Sequence, residues 1–331
     1  MAIIQNYDVL VKEPVVSIMC ITYNQVDYIA RALDSFLMQE LGVPFEIIVN
    51  DDCSTDGTTQ VLLEYQKAHP DLFRVVTHEK NQYSLGKSAM GEFVVPLVRG
   101  RYGAMCEGDD YWTDPRKLAL QLEFMESHSD YAACVHANEN VQAESEHRLS
   151  VKRYSDHDCP VALEDALSNT QCYSTNSLFI RAEAIKDYRS SEYYPLKCDG
   201  DQKMMVCFAL NGGIYYLDRI MSAYRFMARN STNRSVLMSE KHAQIVARKR
   251  ELRIELLERA DELTGGEYDS QIGYGLDRME YLYYKDLRDA RVLRRRWPDL
   301  LRKESLPAKL DIYLFTYAKP LHRIVFRTYY G

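Results

Sequence analysis

The chain has 331 residues, of which 46% are hydrophobic and 27% charged, with a formal net charge of -7. That length can bury a substantial core, and that composition is ordinary for a soluble globular enzyme and not for a disordered chain. The acidic balance argues against a nucleic-acid coat, which needs a basic face to neutralise phosphates. Nowhere do about 18 apolar residues run together, and the first residues lack a basic stretch followed by an apolar core, so neither a membrane span nor a signal peptide is expected. Eight cysteines (Cys20, Cys53, Cys106, Cys134, Cys159, Cys172, Cys198 and Cys207) are scattered without a CxxC pair or histidines at zinc spacing, as reduced thiols of a cytoplasmic protein would be.

In chain order, residues 15–22 ("VVSIMCIT") form a short β-branched apolar run that predicts a strand. A helix follows over about 27–39, with Ile29, Leu33, Phe36 and Leu37 on one face. "FEIIVN" (45–50) is a second strand, and "DDCSTDGTTQVLLEYQKAH" supplies turn and cap residues before a second helix. A third strand at 73–78, a helical stretch near 86–98 and a fourth strand at 102–107 complete an alternation that implies parallel strands joined by crossovers. Beyond a helix entered through Pro115 come a strand at 131–137, a polar loop excursion over 140–170, and a strand running into a short helix over 175–185. Residues 199–213 read as a helix with an acidic start and a glycine stop, and 214–226 as a final strand and its return. From about 236 the pattern is helical and increasingly basic: residues 285–331 hold 12 Lys+Arg against 5 Asp+Glu. A boundary near 235 therefore separates an α/β domain (1–235) from a helical, basic C-terminal region (236–331).

Ligands of such sheets bind beyond the carboxyl ends of the strands. Three polar segments fall there: "TYN" (22–24), "DDCSTD" (51–56) and "EGDDYW" (107–112). The last puts three carboxylates within four residues, a repulsion that partial burial would worsen. A hard divalent cation shared with phosphate oxygens would relieve it, since Mg²⁺ or Mn²⁺ rarely receives an all-protein cage. A solvated turn capping the next helix is the plainer reading of the same residues.

"VSIMCITYN", "EIIVNDDCSTDGT" and "RGRYGAMCEGDDYWTDPRKL", in that order, resemble the nucleotide-diphospho-sugar-binding half of family 2 glycosyltransferases, in the form seen in bacterial members acting on surface polysaccharides. The resemblance covers residues 14–225. It implies a GT-A fold, a Rossmann-like mixed sheet flanked by helices, with a UDP-sugar donor and Mn²⁺ or Mg²⁺ as cofactors. Within "TYN", flanked by Thr22 and Asn24 on the same nucleotide-binding segment, Tyr23 resembles the aromatic residue that packs on uracil. Asp52 corresponds to the acceptor of the base N3–H. Asp109 would lie near the ribose or the metal, Asp110 would ligate the metal, and Glu107 stands where the family's DxD-type motif commonly has aspartate. Asp51, Ser54 and Asp56 also read as turn and N-cap residues, the reading preferred for Asp56.

Inverting transfer needs a carboxylate to deprotonate the acceptor hydroxyl. In "KCDGDQKMM", Asp201 resembles the family's catalytic aspartate; Asp199, the natural N-cap of a helix starting at Gly200, is the alternative. Trp112 offers a flat face to an acceptor sugar or a ring buried under the following helix. "CYSTNS" (172–177) is placed on the acceptor side or in a plain loop, and Lys87, Arg99 and Arg101 are candidate phosphate contacts. Aromatic residues interleaved with Lys319, His322, Arg323 and Arg327 suit contact with an anionic membrane, or a helix packed back on the domain. The expected protein is thus a cytoplasmic enzyme, reaching the inner face of the cell membrane, that passes sugar to a glycan or lipid-linked glycan and binds no nucleic acid. A sugar nucleotidyltransferase or a non-catalytic sugar-nucleotide-binding protein are the alternatives. The first lacks its Gly-rich triphosphate loop; a dehydrogenase lacks GxGxxG after the first strand.

Overall fold

The computed structural model describes residues 2–5, 13–168 and 173–326. Cys172 and Arg327 lie outside them.

The first described segment is a short strand β1 (Ala2–Gln5), followed by β2 (Val16–Thr22), helix α1 (Ile29–Leu37), β3 (Phe45–Asp51), α2 (Thr58–Ala68), β4 (Phe73–His78) and β5 (Tyr102–Met105). Strands β2, β3, β4 and β5 pair in parallel, as the crossover pattern requires. Alternate residues of the same strand enter different cores: Ile18, Cys20, Ile47 and Val49 pack under α1, whereas Met19 and Ile48 point to the opposite face. A sheet buried on both sides favours apolar residues on both faces, which is why these strands are mostly hydrophobic runs, and the buried polar residues Ser17, Glu46 and Arg74 are paired with one another. Each such side chain contributes about 1.5–3 kcal/mol through burial.

The sheet continues through β6 (Tyr111–Trp112), α3 (Lys117–Ser127), β7 (Ala133–Gln142), β8 (Arg148–Lys152), β9 (Cys159–Pro160), α4 (Leu163–Leu167), β10 (Phe179–Arg181), α5 (Ala182–Ser190), α6 (Gly200–Leu210) and β11 (Ile214–Phe226). Its order is β1-β4-β3-β2-β5-β10-β7-β11-β6, with β10 antiparallel to both β5 and β7, so the sheet is mixed. Three readings are corrected. Residues 140–170 are not one loop excursion: β7 and β8 form an antiparallel pair there. The segment 214–226 does not turn back but runs beside β7 as one 13-residue strand with register shifts near Ile220. The stretch near 86–98 is a π-helical turn, Ala89–Val94, followed by a 3₁₀ turn, Val95–Leu97.

Past α7 (Thr232–Leu237), the helices α8 (His242–Thr264) and α9 (Asp269–Asp286) lie against the sheet domain. Leu256, Leu257, Ala260 and Ile272 join Val206, Phe208 and Ile185 in one apolar cluster. The charges of α8 pair at i,i+3 (Arg248–Glu251, Arg259–Glu262) or reach other elements, as Arg250 does to Glu280. Helices α10 (Ala290–Arg296), α11 (Pro298–Lys303), α12 (Leu306–Tyr317) and α13 (Lys319–Val325) close a second, smaller core around Tyr281, Leu293, Trp297 and Ile312. There His322 is buried and bonds Asp311 at 2.6 Å, so it is not available to a surface. No helix among the described residues is long and apolar enough to cross a membrane.

Candidate active site

The carboxyl ends of β2, β3 and β5 meet at one edge of the sheet. Gly108 makes that approach close: its amide donates to the Ile21 carbonyl at 3.0 Å, and a Cβ there would stand 2.7 Å from Gln25 and 2.8 Å from Thr22. The turn bearing Glu107 and Asp109 is thereby set against the start of the β2–α1 loop.

Within "TYN" Tyr23 is the most open residue, at 40% exposure. Thr22 is buried and donates to Gln25 Oε1 at 2.8 Å. Asn24 takes a positive φ of 50°, and its Oδ1 accepts from the Thr55 amide at 2.8 Å, which ties two loops together. Asp51 accepts from the Ser54 amide and from the Thr59 hydroxyl, and Asp56 from the amides of Val26 and Thr58: both are turn residues. Hydrogen bonds from Thr58 and Val26 outweigh burial and hold Asp56 below the usual carboxylate range. Asp52 is buried, and its two oxygens accept from the amides of Gln82 (2.6 Å) and Tyr83 (3.0 Å). It clasps the 82–83 segment beside Tyr23's loop, with one lone pair per oxygen left over.

The two adjacent aspartates of the acidic turn have different fates. Asp110 is 1% exposed, with Oδ1 accepting from the Arg225 amide at 2.9 Å and Oδ2 from Asn176 Nδ2 at 3.0 Å. A carboxylate so enclosed is a bolt between β6, β11 and the 175–177 turn, with both oxygens, expected to ligate a metal, already accepting from protein donors. Asp109 and Glu107 are half-buried, more open than Asp110. Burial first, then the neighbouring charges of Asp109 and Asp201, push the Glu107 carboxyl up to about 8, and burial raises Asp109 as well. This is the crowding that a cation would relieve. No group of three or more His, Cys, Asp or Glu arranged to hold a metal occurs among the described residues, so an ion here would draw on Glu107, Asp109 and ligand oxygens, a set that suits Mg²⁺ or Mn²⁺.

Of the two readings of Trp112, the structure has the buried ring. It is 1% exposed, its Nε1 donates to the Asn176 carbonyl at 2.8 Å, its ring lies 4.8 Å from Phe36, and the Lys117 Nζ sits 4.0 Å above it. A ring covered this way offers no face to a sugar. Asn176 of "CYSTNS" is a buried clamp joining Trp112, Asp110 and Ser222 and does not line an acceptor path. Arg99 is held by Glu46 at the amino end of β3, and Arg101 by Glu126 at 2.8 Å, so neither points toward phosphates. Lys87 lies over the Phe93 ring.

Asp201 occupies the first turn of α6 and accepts only the Gln202 amide, at 2.8 Å, among the described hydrogen bonds. Burial and the charge of Asp199 raise it, while Arg253 and Lys249 oppose them. Asp201 is near enough for its charge to help raise Glu107. Asp199 does stand at the N-cap of α6, but its side chain makes no cap bond and instead pairs with Lys249 of α8 at 2.8 Å. Three residues were not singled out by sequence. Arg225, at the end of β11, donates through Nη1 to the Asp109 carbonyl at 2.6 Å and so fixes the acidic turn from behind. Lys249 and Arg253 come from a helix about 50 residues past Asp201, and no local pattern links them to it.

The pattern of glycosyl transferase family 2 matches residues 17–188, just over half of the chain. A protein of Mycobacterium tuberculosis is 36% identical over 214 residues, 63% of this chain and 58% of that one, so the chain spans under two-thirds of that relative's length. The Escherichia coli UDP-Glc:alpha-D-GlcNAc-diphosphoundecaprenol beta-1,3-glucosyltransferase WfaP is 33% identical over 112 residues, 34% of this chain and 41% of WfaP. Among solved structures, S. aureus TarS 1-349 in complex with UDP superposes with a TM-score of 0.60 at 18% identity, covering 92% of this chain and 82% of that one. That likeness is one of fold, a GT-A arrangement.

Proposed function

The chain belongs to glycosyl transferase family 2, and on that premise we propose that it is a metal-dependent, inverting glycosyltransferase moving a sugar from a UDP-sugar to a hydroxyl of a glycan or lipid-linked acceptor in bacterial surface polysaccharide synthesis. One observation carries the reading: the half-buried pair Glu107 and Asp109 is held by Gly108 against the end of β2, next to the loop that bears the exposed Tyr23, and lies near enough to Asp201 to feel its charge. WfaP's name specifies a UDP-sugar donor and a diphosphoundecaprenol-linked acceptor, which supports the same classes here.

In this reading Tyr23 packs on the uracil and Asp52, while clasping residues 82–83, offers its remaining lone pairs to the base. Glu107 and Asp109 would hold a Mn²⁺ or Mg²⁺ ion, which when bound supplies positive charge to the departing diphosphate. Asp201 takes the acceptor hydroxyl's proton as its oxygen bonds to the anomeric carbon and the bond from that carbon to the diphosphate breaks. One displacement inverts the centre and needs no carboxylate nucleophile. A screen of UDP-sugars tests the proposal: at least one should release UDP in the presence of Mn²⁺ and stop doing so with EDTA, whereas pyrophosphate formation from UTP and a sugar phosphate would contradict it.

The same proposal places the C-terminal helices on an anionic membrane, where a lipid-linked acceptor would be met. Leu306, Leu310 and Tyr317 are exposed at spacings that share one face of α12, and Leu321, Ile324 and Val325 are exposed on α13, with Arg302, Lys303, Lys319 and Arg323 nearby in sequence. Apolar residues at an interface with basic ones at its rim suit phosphatidylglycerol-type surfaces. The full chain should float with phosphatidylglycerol vesicles at low salt and not with phosphatidylcholine vesicles, and a Leu321→Asp, Ile324→Asp variant should lose that binding. Equal flotation of the variant would remove this face from the account.

A further inference from the structure

Beyond the family match, which ends at residue 188, α8 delivers two cations to the two acidic residues that open α6. Lys249 and Arg253 are one helical turn apart and so lie on one face of α8. Asp199 and Asp201 are at the cap and in the first turn of α6, which packs against that face. The first pair is closed, Lys249 Nζ lying 2.8 Å from Asp199 Oδ2. The second is not. Arg253 is 3% exposed, its Nη2 makes a 3.4 Å bond to the Leu167 carbonyl, and its Nε and Nη1 have no hydrogen-bond acceptor. A guanidinium can make five donations in a fixed fork, and burying it with most of them unmet is costly unless an anion answers its charge. The carboxylates whose charges act on it are Asp201 and Asp199, with the Cys198 thiol and the Tyr173 hydroxyl also near it. Asp199 is already taken by Lys249.

We propose that α8 supplies the positioning residues of the active site: Lys249 ties Asp199 aside, and the buried guanidinium of Arg253, one turn further on and with donors unmet, supplies the positive charge toward which Asp201, the carboxylate that faces the acceptor, is drawn. The C-terminal helices are then part of the catalytic apparatus and not only an appendage to it. The sequence 249–253 thereby decides which of two candidate bases works. This rests on Asp201 being the base.

The test uses the full chain carrying Arg253→Gln, Arg253→Lys or Asp201→Asn, and the double Arg253→Gln, Asp201→Asn. Turnover, donor KM and melting temperature are measured with the UDP-sugar found active and its acceptor. Arg253→Gln should lower kcat at least tenfold with donor KM within about twofold, and Arg253→Lys, which keeps the charge, should recover most of the loss. The double variant should be no slower than Asp201→Asn alone, because residues acting through one group are not additive. Unchanged kcat in Arg253→Gln, a loss equal in the Gln and Lys variants, or a loss that multiplies fully onto that of Asp201→Asn would overturn the proposal while leaving the base assignment standing. Wild-type kcat in Asp201→Asn would instead overturn the base assignment, and this proposal with it.

Discussion

An Asp201→Asn chain should transfer sugar about 1,000-fold more slowly than the unaltered one while binding UDP and Mn²⁺ within about twofold of it, a loss in the range of a removed general base. The asparagine is nearly isosteric, and the one described bond of the side chain, from the Gln202 amide to Oδ1, survives with the amide oxygen in its place. What disappears is the ability to accept a proton. Asp199 cannot substitute in place, because Lys249 holds it at 2.8 Å and turning it toward the acceptor would strand that ammonium. The comparison Asp199→Asn should therefore cost far less, about threefold or under. Steady-state UDP release with acceptor, set against calorimetric UDP binding, separates the two effects. Retained turnover in Asp201→Asn would remove it as base.

The second large effect divides neighbours. Asp109→Asn should abolish the Mn²⁺-dependent part of UDP binding, because it removes one of the two half-buried carboxylates and their shared charge. Asp110→Asn should leave that binding in place and instead lower stability by about 1–3 kcal/mol, the cost of a buried partner left unsatisfied. Both Asp110 oxygens accept from donors, the Arg225 amide and Asn176 Nδ2; an asparagine must turn an amide hydrogen against one of them. Thermal melting and UDP titrations with and without Mn²⁺ on the two variants decide the matter. Intact metal dependence in Asp109→Asn, or its loss in Asp110→Asn at an unchanged melting temperature, would reverse the assignment.

That reversal of roles marks where sequence stops being legible. Strands β2 to β5 could be read within a residue or two because burial on both faces leaves short, mostly apolar runs. The position of the three polar segments followed from strand direction alone. Which of Asp109 and Asp110 turns inward does not follow, since it is set by β6, a two-residue strand paired with Ser222 and Ala223 more than a hundred residues away. The same pairing buries Trp112, whose ring chemistry had suggested a sugar platform. Strand β8 read as loop because it has only two apolar residues, Leu149 and Val151, in a polar stretch, and both are exposed, and the long β11 read as two pieces because its charged positions, Asp218 and Arg219, fall where the register shifts. Lys249 and Arg253 looked like two more cations on a charged helix, a reading that only the packing of α8 on α6 changes.

The central claim is that a divalent ion sits between Asp109, Glu107 and the donor's diphosphate, within reach of Asp201. Crystals grown with UDP and Mn²⁺, measured at the manganese absorption edge, test it most directly. The account predicts an anomalous peak at about 2.2 Å from an Asp109 carboxylate oxygen and from diphosphate oxygens, a separation typical of hard divalent cations on oxygen, with uracil against Tyr23. A peak on Asp110, or UDP bound at full occupancy with no manganese beside Asp109, would contradict it.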